Sequence, residues 1–154
     1  MGSFPTSWTT GDVPTAADFN TLSGAWDSYT PTIGGTGWAL GNGTITGLWK
    51  KVGRVNFVRF GVTWGTTSTF GAGQLTISLP NTVNASTHCI VEAVDAGGPS
   101  FFPLVAFCSG TTAAMFAMLA SGTYVSQSSV TSTIPFTWVN TDVIRGLVIY
   151  ESTT

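Results

Sequence analysis

The residues that could perform acid–base or nucleophilic chemistry are few in this sequence. His88 is the single histidine, and it lies next to Cys89, one of two cysteines. Adjacent side chains on a β-strand point to opposite faces, so this pair cannot act as a nucleophile and its base on a strand. We therefore interpret His88 as a residue at a strand end rather than as a catalytic group.

Paired carboxylates are the second chemistry to consider, because glycoside hydrolysis needs two of them facing each other across about 5 to 10 Å. Glu92 and Asp95 are three positions apart and so point to opposite faces of a regular strand. Asp142 could approach either of them through folding. The sequence thus predicts no catalytic residue and no enzyme, and a hydrolase of cell-surface polysaccharide is the alternative that these acids leave open.

Neither a phosphate-binding loop nor a metal site is indicated. The stretch from Gly34 to Gly37 is glycine-rich, but it lacks the lysine and the following helix that cradle a phosphate. Two cysteines and one histidine are too few for a structural metal site. We predict no cofactor and no metal, and we interpret Cys89 and Cys108 as free thiols in the core, with a disulfide as the alternative.

Charged residues are scarce, and their distribution excludes some partners. Only 8% of the 154 residues are charged, whereas about 25% is usual. The net charge is −2, and the basic cluster of Lys50, Lys51, Arg54 and Arg59 fits a solvent-facing strand pair with its hairpin turn. Nucleic-acid binding requires larger groups of lysine and arginine that neutralise phosphates. We therefore expect no nucleic-acid partner.

The surplus of apolar residues indicates self-association. Hydrophobic residues make up 43% of the chain, yet polar residues and glycines interrupt every run before the roughly 18 apolar residues of a membrane helix. Met1 to Thr10 also lacks the basic and apolar segments of a signal peptide. We predict no membrane insertion, no secretory export, and burial of apolar surface between copies of the chain.

Residues 1–28 are predicted to form an N-terminal attachment arm with a short helix. Thr15 and Asp18 have the spacing of a capping box, in which each side chain binds backbone at the first turn of a helix. A helix of about ten residues should follow, to Gly24. Such a helix is marginal alone and needs a partner surface. Its large apolar residues and those beside it are the candidates for attachment: Trp8, Phe19, Leu22 and Trp26.

Residues 29–154 are predicted to form an antiparallel β-sandwich or jelly roll. Short β-like runs alternate with turns rich in glycine, proline and asparagine, at roughly ten-residue spacing. The predicted strands are 29–33, 38–40, 44–52, 55–64, 74–79, 88–95, 104–109, 113–120, 133–139 and 143–150.

Two segments within this domain indicate which faces are covered. Val58, Phe60, Val62 and Trp64 share one face of a strand and are predicted to be core, while Phe57 lies on a partly covered opposite face. The segment Ala113 to Ala120 would be apolar on both faces as a strand, although a short helix is the alternative. We therefore predict that these residues lie at an interface between subunits: Met115, Ala117, Leu119 and Phe57.

Aromatic residues in loops are the candidates for contact with a receptor. Six tryptophans are present, and a flat aromatic ring can bury area at a protein interface or stack on a sugar. Trp38 lies in a glycine-rich turn and is the tryptophan best placed to form an exposed platform, although packing in the core or between subunits is the preferred interpretation. The complete set of receptor-contact candidates is Trp38, Phe70, Phe101 and Phe102.

Two parts of the sequence resemble proteins of bacteriophage tails. The stretch from Trp8 to Asn20 is similar to the opening segment of tail-associated proteins from phages of actinobacteria and related hosts. The stretch from Trp26 to Pro80 resembles a β module of minor tail and fibre proteins, with Tyr29-Thr30-Pro31-Thr32, Gly41-Asn42-Gly43-Thr44 and Lys51-Val52-Gly53-Arg54-Val55 in order. Together these stretches cover about half of the chain.

The resemblance implies a structural virion protein, usually a homotrimer, exposed on the particle surface after assembly in the host cytoplasm. Its N-terminal segment would bind other virion proteins, and its β domain would contact the host surface, where a glycan is a candidate partner. A capsid decoration or head-fibre protein is the nearest alternative. A carbohydrate-binding lectin unrelated to phages is a further one.

Overall fold

The computed structural model describes residues 9–18, 24–98 and 100–153. These residues form ten β-strands and one helical turn, at residues 16–18. The strands are β1 (Asp27–Tyr29), β2 (Ile33–Gly34), β3 (Thr44–Val52), β4 (Val55–Thr63), β5 (Thr76–Ser78), β6 (Thr87–Asp95), β7 (Ser100–Ser109), β8 (Thr112–Ser121), β9 (Tyr124–Ser129) and β10 (Val143–Glu151). The predicted all-β class is confirmed.

All ten described strands belong to one antiparallel sheet that curls over on itself, as in a sandwich or jelly roll. The strand order is β1-β3-β4-β10-β6-β7-β8-β5-β2, and β9 pairs with β8. Strand β10, at the end of the chain, therefore pairs with β4 from the first half and with β6 from the second half. This central position of β10 joins the two halves into one body.

Glycine begins three tight hairpin turns of the sheet. Gly53, Gly110 and Gly122 have φ angles of 59°, 56° and 59°. Each is the first residue of a two-residue turn, where glycine alone adopts positive φ without steric cost. The turns connect β3 to β4, β7 to β8 and β8 to β9, and they fix the register of the paired strands.

The curled sheet encloses a core made by the inward face of each long strand. The four predicted core residues of the second strand, Val58, Phe60, Val62 and Trp64, are at most 2% exposed, which confirms that prediction. At one end of the core, Trp64 packs against Trp38, Phe70 and Trp138 with ring centroids 5.4 to 6.2 Å apart.

Buried polar groups close the opposite end of the core. Asn56 is fully buried; its amide donates to the Arg54 carbonyl and accepts a hydrogen bond of 2.9 Å from Asn81 Nδ2. The Tyr150 hydroxyl donates to the Asn81 carbonyl over 3.0 Å. Burial raises the pKa of Tyr150 to about 12, so its hydroxyl keeps the proton it donates. The network ties β4 and β10 to the loop that holds Asn81.

Three predicted strands are wrong. Residues 29–33 contain only the last residue of β1 and the first residue of β2. Residues 38–40 make a single β-bridge, between Ala39 and Thr69. Residues 133–139 form a loop, because Pro135 has no N–H to donate to a ladder. Conversely, β9 was not predicted, since its polar residues from Ser126 to Ser129 lack the apolar alternation of a strand. The predicted hairpin of 44–52 and 55–64 is confirmed to within one residue.

Strand β8 corrects the prediction for part of the subunit interface. The segment is a strand rather than a helix, as preferred from the sequence. Met115 and Ala117 face the core of the same chain and are 0% and 1% exposed. They cannot contact another subunit from there, so their assignment to an interface is wrong. On the opposite face of β8, Phe116 is half-buried and Met118 is 45% exposed.

Candidate functional site

The outward face of the sheet carries a broad groove across five neighbouring strands, β3, β4, β10, β6 and β7. Its volume is about 1160 Å³. The residues that line it and face outward are mainly apolar with a charged centre: Leu48, Arg59, Ile90, Glu92, Phe101, Arg145 and Leu147. A surface of this size, with these side chains, is the candidate functional site.

The groove follows from the alternation of residues along its strands. In β4, Val58, Phe60 and Val62 point inward, so Arg59 and Gly61 point outward. Gly61 pairs with Arg145 of β10 and with Thr46 of β3, and its lack of a side chain leaves space between them. A Cβ atom at Gly61 would meet only Thr46 Oγ1, at 3.3 Å. Gly61 therefore forms part of the groove floor.

Two further glycines let the inward side of this region pack closely. A Cβ atom at Gly47 of β3 would lie 2.5 Å from Tyr29 Cε1 and 2.7 Å from Pro31 Cδ. A Cβ atom at Gly146 of β10 would collide with the Val91 side chain of β6. The close packing beneath the groove thus depends on Gly47 and Gly146, whereas Gly61 leaves space in the groove itself.

The charged centre of the groove holds one paired and one unpaired arginine. Arg145 of β10 makes an ion pair with Glu92, its cross-strand neighbour on β6. Arg59 of β4 instead lies between two leucines, because Leu48 and Leu147 are its partners on β3 and β10. Within the described part of the chain, no hydrogen bond or ion pair engages the Arg59 guanidinium. The groove therefore offers a free positive charge between apolar walls.

The apolar walls are unusually exposed for a single chain. Ile90 is 65% exposed, Phe101 63%, Leu147 44%, Ile149 43% and Leu48 38%. All five side chains lie on the same outward face. Contiguous apolar surface of this kind marks a binding or assembly site on a soluble protein.

The predicted receptor-contact residues lie in different environments. Trp38 is 7% exposed, and its indole N–H donates to the Gly73 carbonyl over 2.7 Å, so its ring packs in the core, as preferred from the sequence, and is not an exposed platform. Phe70 packs edge-on against Trp38 and Trp64 in the same cluster. Phe102 is half-buried against Phe136. Phe101, at 63% exposed, is the most accessible member of this set, and both Phe101 and Phe102 line the groove.

The remaining interface and attachment candidates are partly placed. Phe57 is half-buried on the outward face of β4, and Leu119 is half-buried against the core. Trp26 is 42% exposed, just before β1. Trp8, Phe19 and Leu22 lie outside the described residues, so their role in attachment stays a prediction.

The N-terminal arm, defined here as residues 9–18, has the predicted capping box. The Thr15 N–H donates to Asp18 Oδ2 over 2.8 Å, and the Asp18 N–H donates to Thr15 Oγ1 over 3.2 Å. The same pattern precedes it, since the Thr9 N–H donates to Asp12 Oδ2 over 2.6 Å. These bonds lower the pKa of both aspartates, which keeps the arm negatively charged. Among the described residues, the hydrogen bonds of these four residues stay within the arm.

The acids that a hydrolase would use have separate structural partners. Glu92 is paired with Arg145, and Asp95 Oδ1 accepts from the N–H groups of Gly97 and Gly98 in the following turn. Asp142 is fully buried; its two oxygens accept from the N–H groups of Ala96 and Val139 over 3.0 and 2.7 Å. The arrangement therefore does not favour the hydrolase alternative.

The cysteines and the histidine have no shared catalytic geometry. His88 stacks on Phe107 with ring centroids 4.8 Å apart. Cys89 and Cys108 are free thiols, as preferred from the sequence. The Cys108 thiol donates to Cys89 Sγ, and the Ile149 N–H does so over 3.3 Å, which lowers the pKa of Cys89 to about 6. The same contact and burial raise the pKa of Cys108.

Metal binding, membrane spanning and similarity to known proteins complete the description of the site. No group of three or more histidine, cysteine or acidic side chains among the described residues could hold a metal ion. None of the helical structure described there is long and apolar enough to cross a membrane. Comparison with models of protein families, with curated proteins and with solved structures found no match.

Reasoning from the sequence missed the groove. Arg59 was grouped with Lys50, Lys51 and Arg54, but Lys50 Nζ donates to the Gly24 carbonyl and Arg54 pairs with Glu151 at 3.0 Å. A usable signal was present in β4, where a single charge alternates with buried apolar residues. Glu92 and Arg145 reach the groove because β6, β10 and β4 pair although they are far apart in sequence, and no local sequence pattern indicates that pairing.

Proposed function

We propose that this chain is a structural, non-enzymatic protein of a bacteriophage particle: a homotrimeric tail-fibre or receptor-binding component. The N-terminal segment attaches it to other virion proteins, and the β domain contacts the host surface. The observation that carries the proposal is the exposed apolar groove face, because a single chain in water would not keep so many large aliphatic side chains on one side of a sheet.

The composition and the arm support the same conclusion. With 8% of residues charged, the chain carries little surface charge to keep single copies apart in solution. Residues 9–17 of the arm are exposed, and the described hydrogen bonds of its threonines and aspartates are internal, as expected for a segment whose outer surface binds another molecule. The resemblance of residues 8–20 and 26–80 to tail-associated proteins supplies the phage context.

The number of subunits tests the assembly directly. Native mass spectrometry and light scattering are expected to give the mass of three copies of the 16.0 kDa chain. A single chain at micromolar concentration would overturn the proposal.

A matched pair of substitutions tests whether the groove face is the surface that associates. Ile90 on the groove wall and Val125 on β9 are 65% and 64% exposed, so a new carboxylate costs the folded monomer about the same at either site. Ile90→Asp is expected to give monomers, because a charge cannot be buried between subunits without a partner. Val125→Asp should leave the trimer intact. Equal effects of the two changes would contradict this role of the groove face.

The position on the particle is tested with labelled antibody. Labelling at the tail tip or tail fibres is expected for a receptor-binding component. Labelling of the head would replace this assignment with the capsid decoration alternative. Absence of the protein from purified particles would overturn the virion assignment, whatever its oligomeric state.

A further inference from the structure

We propose that the groove of one subunit binds the N-terminal arm of the next, so that the arm links neighbouring copies of this chain. The inference rests on the proposed self-association and adds to it a specific contact. The occupant is residues 9–18 of a second copy, with its acidic and apolar side chains on Arg59 and on the leucines that flank it.

Charge complementarity is the first argument. The arm contains Asp12 and Asp18 and no basic residue, and both carboxylates are held ionised by hydrogen bonds. The groove contributes Arg59, Glu92 and Arg145, of which Glu92 and Arg145 neutralise each other. The surplus charge is the Arg59 guanidinium, which has no partner among the described residues. An incoming carboxylate would supply one in a partly apolar setting, where such a pair is stronger than in water.

Apolar complementarity is the second argument. Val13, next to Asp12, is 79% exposed and is followed by Pro14. In the groove, Leu48 and Leu147 flank Arg59 directly across the sheet. An acidic residue beside an exposed valine therefore matches a basic residue between exposed leucines.

The contact also explains closure of the assembly. An arm that leaves one subunit and enters the groove of the next makes a head-to-tail interface, with different surfaces on the two sides. Interfaces of this type close into a ring when the rotation between subunits is a whole fraction of a turn. Three copies linked in this way would bury three arms and three grooves and leave none open.

Charge reversal tests the contact in the full-length chain. Arg59→Asp and Asp12→Arg are each expected to raise the midpoint concentration of association at least about tenfold, because like charges would then meet across the interface. The double variant should return to within about threefold of the unchanged chain. Sedimentation velocity at matched salt gives the midpoints, and circular dichroism checks that each variant is folded.

A groove-filling variant separates this inference from the proposed function. Gly61→Leu places its side chain on the outward face, where the one atom near its Cβ is Thr46 Oγ1 at 3.3 Å. Circular dichroism checks that this variant is folded, and it should weaken association as the charge reversals do. A trimer unaffected by all three single changes would overturn the arm contact and leave the trimer standing. A trimer weakened by Gly61→Leu but not by either reversal would mean that another surface fills the groove, which also overturns it. A monomeric unchanged chain would overturn both proposals.

Discussion

Asp142 shows how a carboxylate that could have served catalysis is used for structure. Both of its oxygens accept backbone N–H groups, from Ala96 after β6 and from Val139 before β10. Its own carbonyl accepts from the Trp64 N–H over 3.0 Å. One buried residue, through its side chain and its backbone carbonyl, thus joins three segments at the aromatic end of the core.

Removing this carboxylate should be costly. Asp142→Ala removes a fully buried side chain that is the acceptor of two part-buried backbone hydrogen bonds, and we expect it to lower the free energy of unfolding by about 2 to 4 kcal/mol. The control is Asp95→Ala, whose carboxylate accepts from an exposed turn and should cost less than about 1 kcal/mol. Guanidinium unfolding followed by tryptophan fluorescence measures both. Similar losses for the two variants would contradict the clamp role of Asp142.

Cys89 should behave as an acidic thiol. Hydrogen bonds from the Cys108 thiol and the Ile149 N–H lower the pKa of Cys89 to about 6. The pKa of a free cysteine is about 8.5. Alkylation of the folded protein by iodoacetamide should therefore reach half its plateau rate near pH 6 at Cys89. Peptide mapping by mass spectrometry follows the two cysteines separately, and Cys108 should stay unmodified.

The sign of the accompanying stability change follows from the same shift. Between about pH 6 and 8.5 the unfolded chain holds a proton on Cys89 that the folded chain has lost, so the free energy of unfolding rises with pH there. Cys108→Ala removes the thiol donor and should move the alkylation profile of Cys89 towards that of a free cysteine. A rate for the unchanged protein that rises only near pH 8.5 would contradict the assignment.

At the scale of the elements, the glycines under the groove are not equivalent. Gly47→Ala would push a methyl group into Tyr29 and Pro31, and we expect a loss of about 1 to 3 kcal/mol in the free energy of unfolding. Gly61→Ala meets only Thr46 Oγ1 and should be neutral or slightly stabilising, since it restricts the unfolded chain. Thermal unfolding of both variants checks this, and an equal loss would show that β1 does not pack on β3 as described.

The elements also show how far the sequence could be used for prediction. The β3–β4 hairpin could be predicted because two nine-residue strands, with apolar and polar residues in alternation, flank a glycine turn. In β8 the sequence shows two apolar faces, but which one meets the core depends on its pairing with β7. That register places Met115 inward, and no local pattern could have decided it.

The same limit applies to the candidate site. Arg59 was visible as one charge in an apolar strand. Its surroundings come from β10, which lies about 80 residues later in the chain and pairs with β4 through nine residues. Trp38 failed as an exposed platform for a related reason, since its glycine-rich turn folds inward onto Trp64 and Trp138. Contacts between distant segments decided both outcomes.

For the whole molecule, the central question is how a chain with so few charged residues stays dissolved in water. The inward face of the sheet is closed within one chain, including the β8 residues first assigned to an interface. One group of exposed apolar side chains lies on the outward face around the groove, and a second lies on β8 and β9, where Met118, Tyr124 and Val125 are 45%, 80% and 64% exposed. Self-association through the groove face would cover the first of these two surfaces.

The ends of the sheet have a consequence for how such a protein avoids forming amyloid-like aggregates. The strand order stops at β1 with three residues and at β2 with two, and β9 ends in polar residues from Ser126 to Ser129. The part of β3 that β1 leaves uncovered includes Lys50 and Lys51. Short, polar or charged edge strands offer an incoming strand few unpaired backbone groups with which to form hydrogen bonds. Even at high concentration, copies of the chain should therefore form closed oligomers rather than add strand to strand without limit.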